Sequence, residues 1–323
     1  MPFVEYKQGF PFTSVTFPYN VCDALIVQNL KLEQLLSYIN NNCLTKIKIE
    51  DIDDLSFLQR CPSIRHICLE IKSSFSTIKS LSKKGKYYIK TLDISELYSL
   101  EDLKSIDVQD NVEPIVKLQL EIDLSRLKYI EDISAEFTFL KNISEATTLK
   151  SINLIGFMSK NKDFSELSTL TNLDTIRIVK GNIESLQGIQ NLKNIQCLYL
   201  YNLRYLKDIS GLQHITKTLK ALRIENCANI EDFSVLEKLE NLELLDLSGS
   251  NSIPNIRFIE KMKRLKTFVF SVNVVDGDLS LCKNLKYVYS EKNRKHYNIK
   301  DDELPKGIYV RGNEDIEEWR RTE

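Results

Sequence analysis

Six residues of types suited to molecular recognition recur at nearly even spacing: Arg177, Tyr199, Arg223 and Asp246, with Tyr201 and Glu225 two places after the second and third. Their separations are 22, 24 and 23 residues. Tyr and Arg each combine a large contact area with directed hydrogen bonds, and both are enriched where binding energy concentrates. An Arg beside a Tyr stacks on its ring, and an Arg beside an Asp forms an ion pair. Two uses of such a row are open: recognition of a partner, or a self-satisfied ladder facing water.

Catalytic and metal signals are scarce. His66, His214 and His296 are the histidines, and none lies in H-x-x-x-H or H-E-x-x-H. His66 and Cys68 share one face of a strand, but no second pair completes a zinc site. There is no G-x-S-x-G and no G-x-x-x-x-G-K-[ST] phosphate loop. The reading is a chain with no catalytic residues, no metal and no cofactor.

The elements that must position the row repeat with it. The pattern L-x-x-L-x-L occurs as "LTKIKI" at Leu44, "IRHICL" at Ile64, "IKTLDI" at Ile89 and "IVKLQL" at Ile115. It continues as "LKSINL" at Leu149, "LDTIRI" at Leu173, "IQCLYL" at Ile195, "LKALRI" at Leu219, "LELLDL" at Leu242 and "LKTFVF" at Leu265. Weaker copies start at Cys22 and Leu285. Starts lie 20 to 26 residues apart, except 34 between Ile115 and Leu149. The L-x-L pair has period two, so it predicts a short strand with both apolar side chains on one face. Twenty-odd residues then suffice for a turn, a short helix and a return. Four return segments read Asp-apolar-Ser-x-Leu, at Asp54, Asp163, Asp208 and Asp232. Asp there predicts a cap on a short α or 3₁₀ turn.

The short units and the rhythm "NIEDFSVLEKLENLELL" from Asn229 resemble the leucine-rich repeat superfamily, in particular internalin-like or SDS-type repeats. The resemblance covers roughly residues 22 to 290 and implies an α/β fold. That fold is a curved leucine-rich repeat solenoid with parallel strands on the concave face and short α/3₁₀ helices on the convex face. The chain departs from the family three residues after the last strand leucine, where Asn or Cys is usual. Only Cys227, Asn273 and Asn293 fit there, which predicts irregular turns.

Side chains between the leucines point away from the core, in columns across neighbouring strands. The fifth-position column reads Ile26, Lys48, Cys68, Asp93, Gln119, Asn153, Arg177, Tyr199, Arg223, Asp246, Val269 and Tyr289. The seventh runs through Glu50, Glu70, Tyr201, Glu225 and Ser248. Lys46, Lys48 and His66 form a basic corner that Glu50 and Glu70 offset.

The expected organisation is an N-terminal cap over 1–21, a solenoid of about 12 repeats over 22–296 with an irregular unit at 115–148, and a C-terminal cap over 297–323. The irregular unit is open between irregular packing and a functional loop. "FPFTSVTF" alternates like a hairpin strand; Phe3, Tyr6, Phe10, Phe12, Phe17 and Tyr19 suit a cap. The end "LPKGIYVRGNEDIEEWRR" reads as a strand, then a helix from near Asn313, with Trp319 closing the last repeat.

Charge is nearly balanced, 44 basic against 45 acidic residues, so neither nucleic acid nor an anionic membrane is expected as partner. No run of about 18 apolar residues occurs, and "MPFVEYKQGF" lacks a basic start and an apolar run. Seven cysteines, an odd number without C-x-x-C, read as buried thiols in a reduced, cytoplasmic protein. The expected function is binding of another protein through the concave face by Arg177, Tyr199, Tyr201, Arg223, Glu225 and Asp246, with an immunity or inhibitor role as its sharper form. A secreted effector or adhesion-like repeat, and a scaffold or accessory subunit of an enzyme, stand as alternatives.

Overall fold

A computed structural model describes residues 14–16, 23–27, 32–50, 52–73, 82–84 and 86–309. The chain forms two compact units, Met1–Leu149 and Lys150–Glu323.

In the first unit, β1 (Ser14–Thr16) pairs antiparallel with β2 (Asp23–Val27). Then β3 (Lys46–Glu50) and β4 (His66–Ser73) follow in parallel. Helix α1 (Leu32–Asn41) joins β2 to β3 and buries Leu35, Leu36 and Ile39. β5 (Ser82–Lys84) and β6 (Tyr87–Thr91) come next in the chain, but β4 is paired instead by β7 (Ser105–Val112). β8 (Val116–Gln119) joins β5 and β6 in a separate three-stranded sheet. β9 (Ile122–Asp123) pairs with β11 (Leu140–Lys141), and β10 (Asp132–Glu136) lies parallel to β7.

This corrects the repeat assignment. The copies at Ile89 and Ile115 are β6 and β8 of the separate sheet, and the main-sheet strands are "LKSIDV" from Leu103 and "IEDISA" from Ile130. Asp107 therefore takes the fifth-column place beside Cys68, not Asp93, and Ser134 follows it, not Gln119. β10 lies inside the irregular unit at 115–148.

The second unit is more regular. β12 (Ser151–Phe157), β13 (Thr175–Gly181), β14 (Cys197–Tyr201), β15 (Ala221–Glu225) and β16 (Leu244–Ser248) pair in parallel, each with the next. β17 (Ser252–Ile253) and β19 (Asn273–Val274) make a small separate pair. β18 (Thr267–Phe270) and β20 (Tyr287–Ser290) extend this unit's sheet beyond β16. The register stacks Ile176, Leu198, Leu222, Leu245 and Phe268 in one row and Ile178, Leu200, Ile224, Leu247 and Phe270 in the next. All ten are buried. A single repeat could not bury this surface alone, so stacking is what stabilises the fold.

The return segments are 3₁₀ turns, such as Ser165–Leu167, Ser210–His214 and Ser234–Lys238. The cap positions themselves are Phe164, Ile209 and Phe233, and the Asp expected there stands one place earlier, closing an Asx turn: the Ser165, Ser210 and Ser234 N–H groups donate to Asp163, Asp208 and Asp232 at 2.7–2.8 Å. The same turn forms at Asp93, Asp123 and Asp278. The missing asparagine ladder is partly replaced one place later. Asn251 Nδ2 donates to the Ile230 carbonyl at 2.9 Å, and Asn182 exchanges two hydrogen bonds with the Ser159 backbone.

Of the six cysteines described, five are buried and Cys43 is exposed. Among the described residues no helix is long and apolar enough to cross a membrane. Phe3, Tyr6, Phe10, Phe12, Phe17, Tyr19, the helix expected near Asn313 and Trp319 lie outside the described residues.

Candidate functional site

Strand pairing brings the recognition row together. Arg177, Tyr199, Arg223 and Asp246 are direct register partners across β13, β14, β15 and β16, and Tyr201, Glu225 and Ser248 form the neighbouring column. Adjacent strands lie about 4.8 Å apart, so consecutive side chains touch. The Arg177 guanidinium lies over the Tyr201 ring at 4.7 Å, and that of Arg223 over Tyr199 at 5.6 Å. Each such stack contributes about 0.5–2 kcal/mol, more as water is excluded. Arg223 Nη1 stands 3.8 Å from Asp246 Oδ2, a loose pair, while Ser248 Oγ donates to Asp246 Oδ1 at 2.6 Å.

The six are not equally presented. Tyr199 and Asp246 are buried, at 6 % and 8 % exposure, whereas Arg177, Tyr201, Arg223 and Glu225 are half-buried. Burial raises the Tyr199 and Tyr201 phenols above their ordinary range, so both are neutral donors at pH 7. Burial likewise raises the Asp246 carboxyl, against the opposing pull of Ser248 and Arg223.

Sequence reasoning missed what lies on this face. Cys197, Tyr199, Ala221 and Leu244 form an apolar floor, and Tyr201 and Tyr309 pack against it. Arg223 Nη2 donates to Tyr309 Oη at 2.7 Å, and the Tyr309 ring meets Tyr287 edge-on at 5.1 Å. The chain reaches this place by an antiparallel bridge from Lys306 to Tyr287 on the outer side of β20. The available signal was the third position of each repeat: Cys197, Ala221 and Leu244 also face away from the core and are apolar.

The first unit carries a different face. Lys48 is buried between Glu50, at 3.2 Å, and Glu70; Lys72 also reaches Glu70, at 3.1 Å. Asn111 donates to Glu70, and Cys68 and Gln109 both donate to Asp107. Burial acts to raise the Glu70 carboxyl, but Lys48 and Lys72 hold it at about 2. His66 is lowered to about 4, first by burial and then by Lys46 and Lys104, so it is neutral at pH 7. These charges satisfy one another. Among the described residues no three His, Cys, Asp or Glu side chains are grouped to hold a metal.

Parallel short strands repeating every 20-odd residues, 3₁₀ returns and stacked leucines decide the fold. It is a leucine-rich repeat fold. This leucine-rich repeat chain is similar to an internalin, InlF, from Listeria monocytogenes, with a TM-score of 0.56 at 17 % identity over 89 % of this chain and 86 % of that one. The TLR13–ssRNA13 complex matches with a TM-score of 0.46 at 15 % identity, over 75 % of this chain and 37 % of that chain. Internalin C2 from Listeria monocytogenes matches at 0.40 and 16 %, over 59 % of this chain and 74 % of that one. No protein-family model and no curated protein matches the chain. At 17 % identity the likeness to InlF shows the fold alone and leaves the ligand to be argued from the surface itself.

Proposed function

We propose that the strand face of the second unit binds another protein and that the chain acts without catalysis, by covering that partner. The observation carrying this is the half-buried set Arg177, Tyr201, Arg223 and Glu225 arranged around an apolar floor. Apolar floors rimmed by Tyr and Arg suit protein hot spots, because the floor excludes water and the rim supplies directed bonds. Arg223 stands beside Asp246, and Arg177 and Glu225 lie on the same face, a mixed-sign surface that favours a protein over the phosphate backbone of a nucleic acid.

The sharper form is an immunity or inhibitor role inside the cell, in which the repeat face occludes the working surface of a partner. The experiment is affinity capture from the native host with the intact chain and with an Arg177→Ala, Tyr201→Ala, Glu225→Ala variant. A protein retained by the first and lost by the second supports the reading. Identical captures, with the variant folded, would remove this face from consideration.

A further inference from the structure

The cup on the second unit already has an occupant. Pro305 to Gly307 run along β20: the Val288 N–H donates to the Pro305 carbonyl at 2.8 Å, and the Gly307 N–H to that of Lys286 at 3.0 Å. Two residues later the Tyr309 phenol is at Arg223 on β15, with β16 and β18 in between. Three strand spacings are about 14 Å, and two extended residues span about 7 Å. Ile308 and Tyr309 must therefore run across the strands, with the phenol supplying the rest of the reach. Ile308 is 82 % exposed, so the crossing is held chiefly at Tyr309. That side chain meets an apolar floor, an edge-on Tyr287 ring and a guanidinium donor, which together recognise a phenol.

We propose that Tyr309 is a displaceable stand-in for a tyrosine presented by an extended segment of the protein partner. This rests on reading the face as a binding surface. It adds the ligand chemistry and a competition: the partner's tyrosine takes the Arg223 cup only when the chain's own Tyr309 leaves. A permanent wedge would need only an apolar residue, whereas the bond to the phenolic oxygen makes the cup selective for a hydroxyl-bearing ring.

Cys197 reports the cup, because it lies in the floor and is fully buried. The experiment measures alkylation of each cysteine by mass spectrometry in the full chain and in Tyr309→Ala and Tyr309→Phe variants. Local opening sets the rate at a buried group, so Tyr309→Ala should speed modification of Cys197 roughly tenfold or more, and Tyr309→Phe by less. Cys227 and Cys282, also fully buried, should stay slow. An excess of the peptide Pro-Lys-Gly-Ile-Tyr-Val-Arg-Gly should protect Cys197 in the Tyr309→Ala variant, and the same peptide with alanine for tyrosine should not. An unchanged Cys197 rate, a rise shared by all buried cysteines, or equal protection by both peptides would overturn the proposal. None of these outcomes depends on capturing a partner, so this test and that of the binding face fail separately.

Discussion

Arg223 and Tyr309 are 86 residues apart in the chain and 2.7 Å apart in the fold. That bond ties the end of the described chain to the middle of the recognition row. Exposure separates the other row residues: Tyr199 and Asp246 belong to the buried support, while Arg177, Tyr201 and Glu225 are half-buried. Substituting Tyr199 would therefore mix lost packing with lost binding.

The Asp turns before the 3₁₀ segments should be worth measurable stability. Asp163 is buried, and its carboxylate accepts the Ser165 N–H at 2.8 Å. Asp163→Ala should cost about 1 kcal/mol in urea unfolding, and Asp163→Asn should cost less, because the amide oxygen still accepts.

Gly188 opens a 3₁₀ turn with φ of 98°. A Cβ there would lie 2.6 Å from the Phe164 carbonyl carbon and the Ser165 nitrogen. Gly188→Ala should lower stability by roughly 1–3 kcal/mol, through both the left-handed backbone and the clash. Thermal unfolding followed by circular dichroism measures it.

Two of the buried carboxylates, Glu70 and Asp246, should shift stability with pH in opposite senses. Glu70 is lowered to about 2 in the fold, so the unfolded chain binds more protons below its ordinary value of 4.5. Its contribution is complete above that value and is lost as pH falls toward 2. Asp246 is raised from 3.8, so between 3.8 and its folded value the folded chain binds more protons, and stability falls as pH rises. Urea titrations from pH 2 to 6 should show the acid slope flattened by Glu70→Gln and the opposing contribution removed by Asp246→Asn.

The fold was legible because a strand core needs apolar residues at period two, and L-x-x-L-x-L records that need repeat after repeat. It misled at Ile89 and Ile115 because any half-buried strand satisfies the same alternation, including those of a separate sheet. The correction was written nearby. "DISEL" at Asp93 is the same Asx turn as "DFSEL" at Asp163, and in both a main-sheet strand copy starts ten residues after the Asp, at Leu103 and Leu173. The row Arg177, Tyr199, Arg223, Asp246 was legible because parallel register follows from repeat length. Tyr309 was not, since its contact depends on a crossing that no local periodicity encodes.

The direct test of the central claim is titration of the captured partner against the intact chain and an Arg177→Ala, Tyr201→Ala variant. If the second-unit face is the binding surface, affinity falls roughly tenfold or more per residue, with unfolding temperature unchanged. Equal affinity in a folded variant would contradict it.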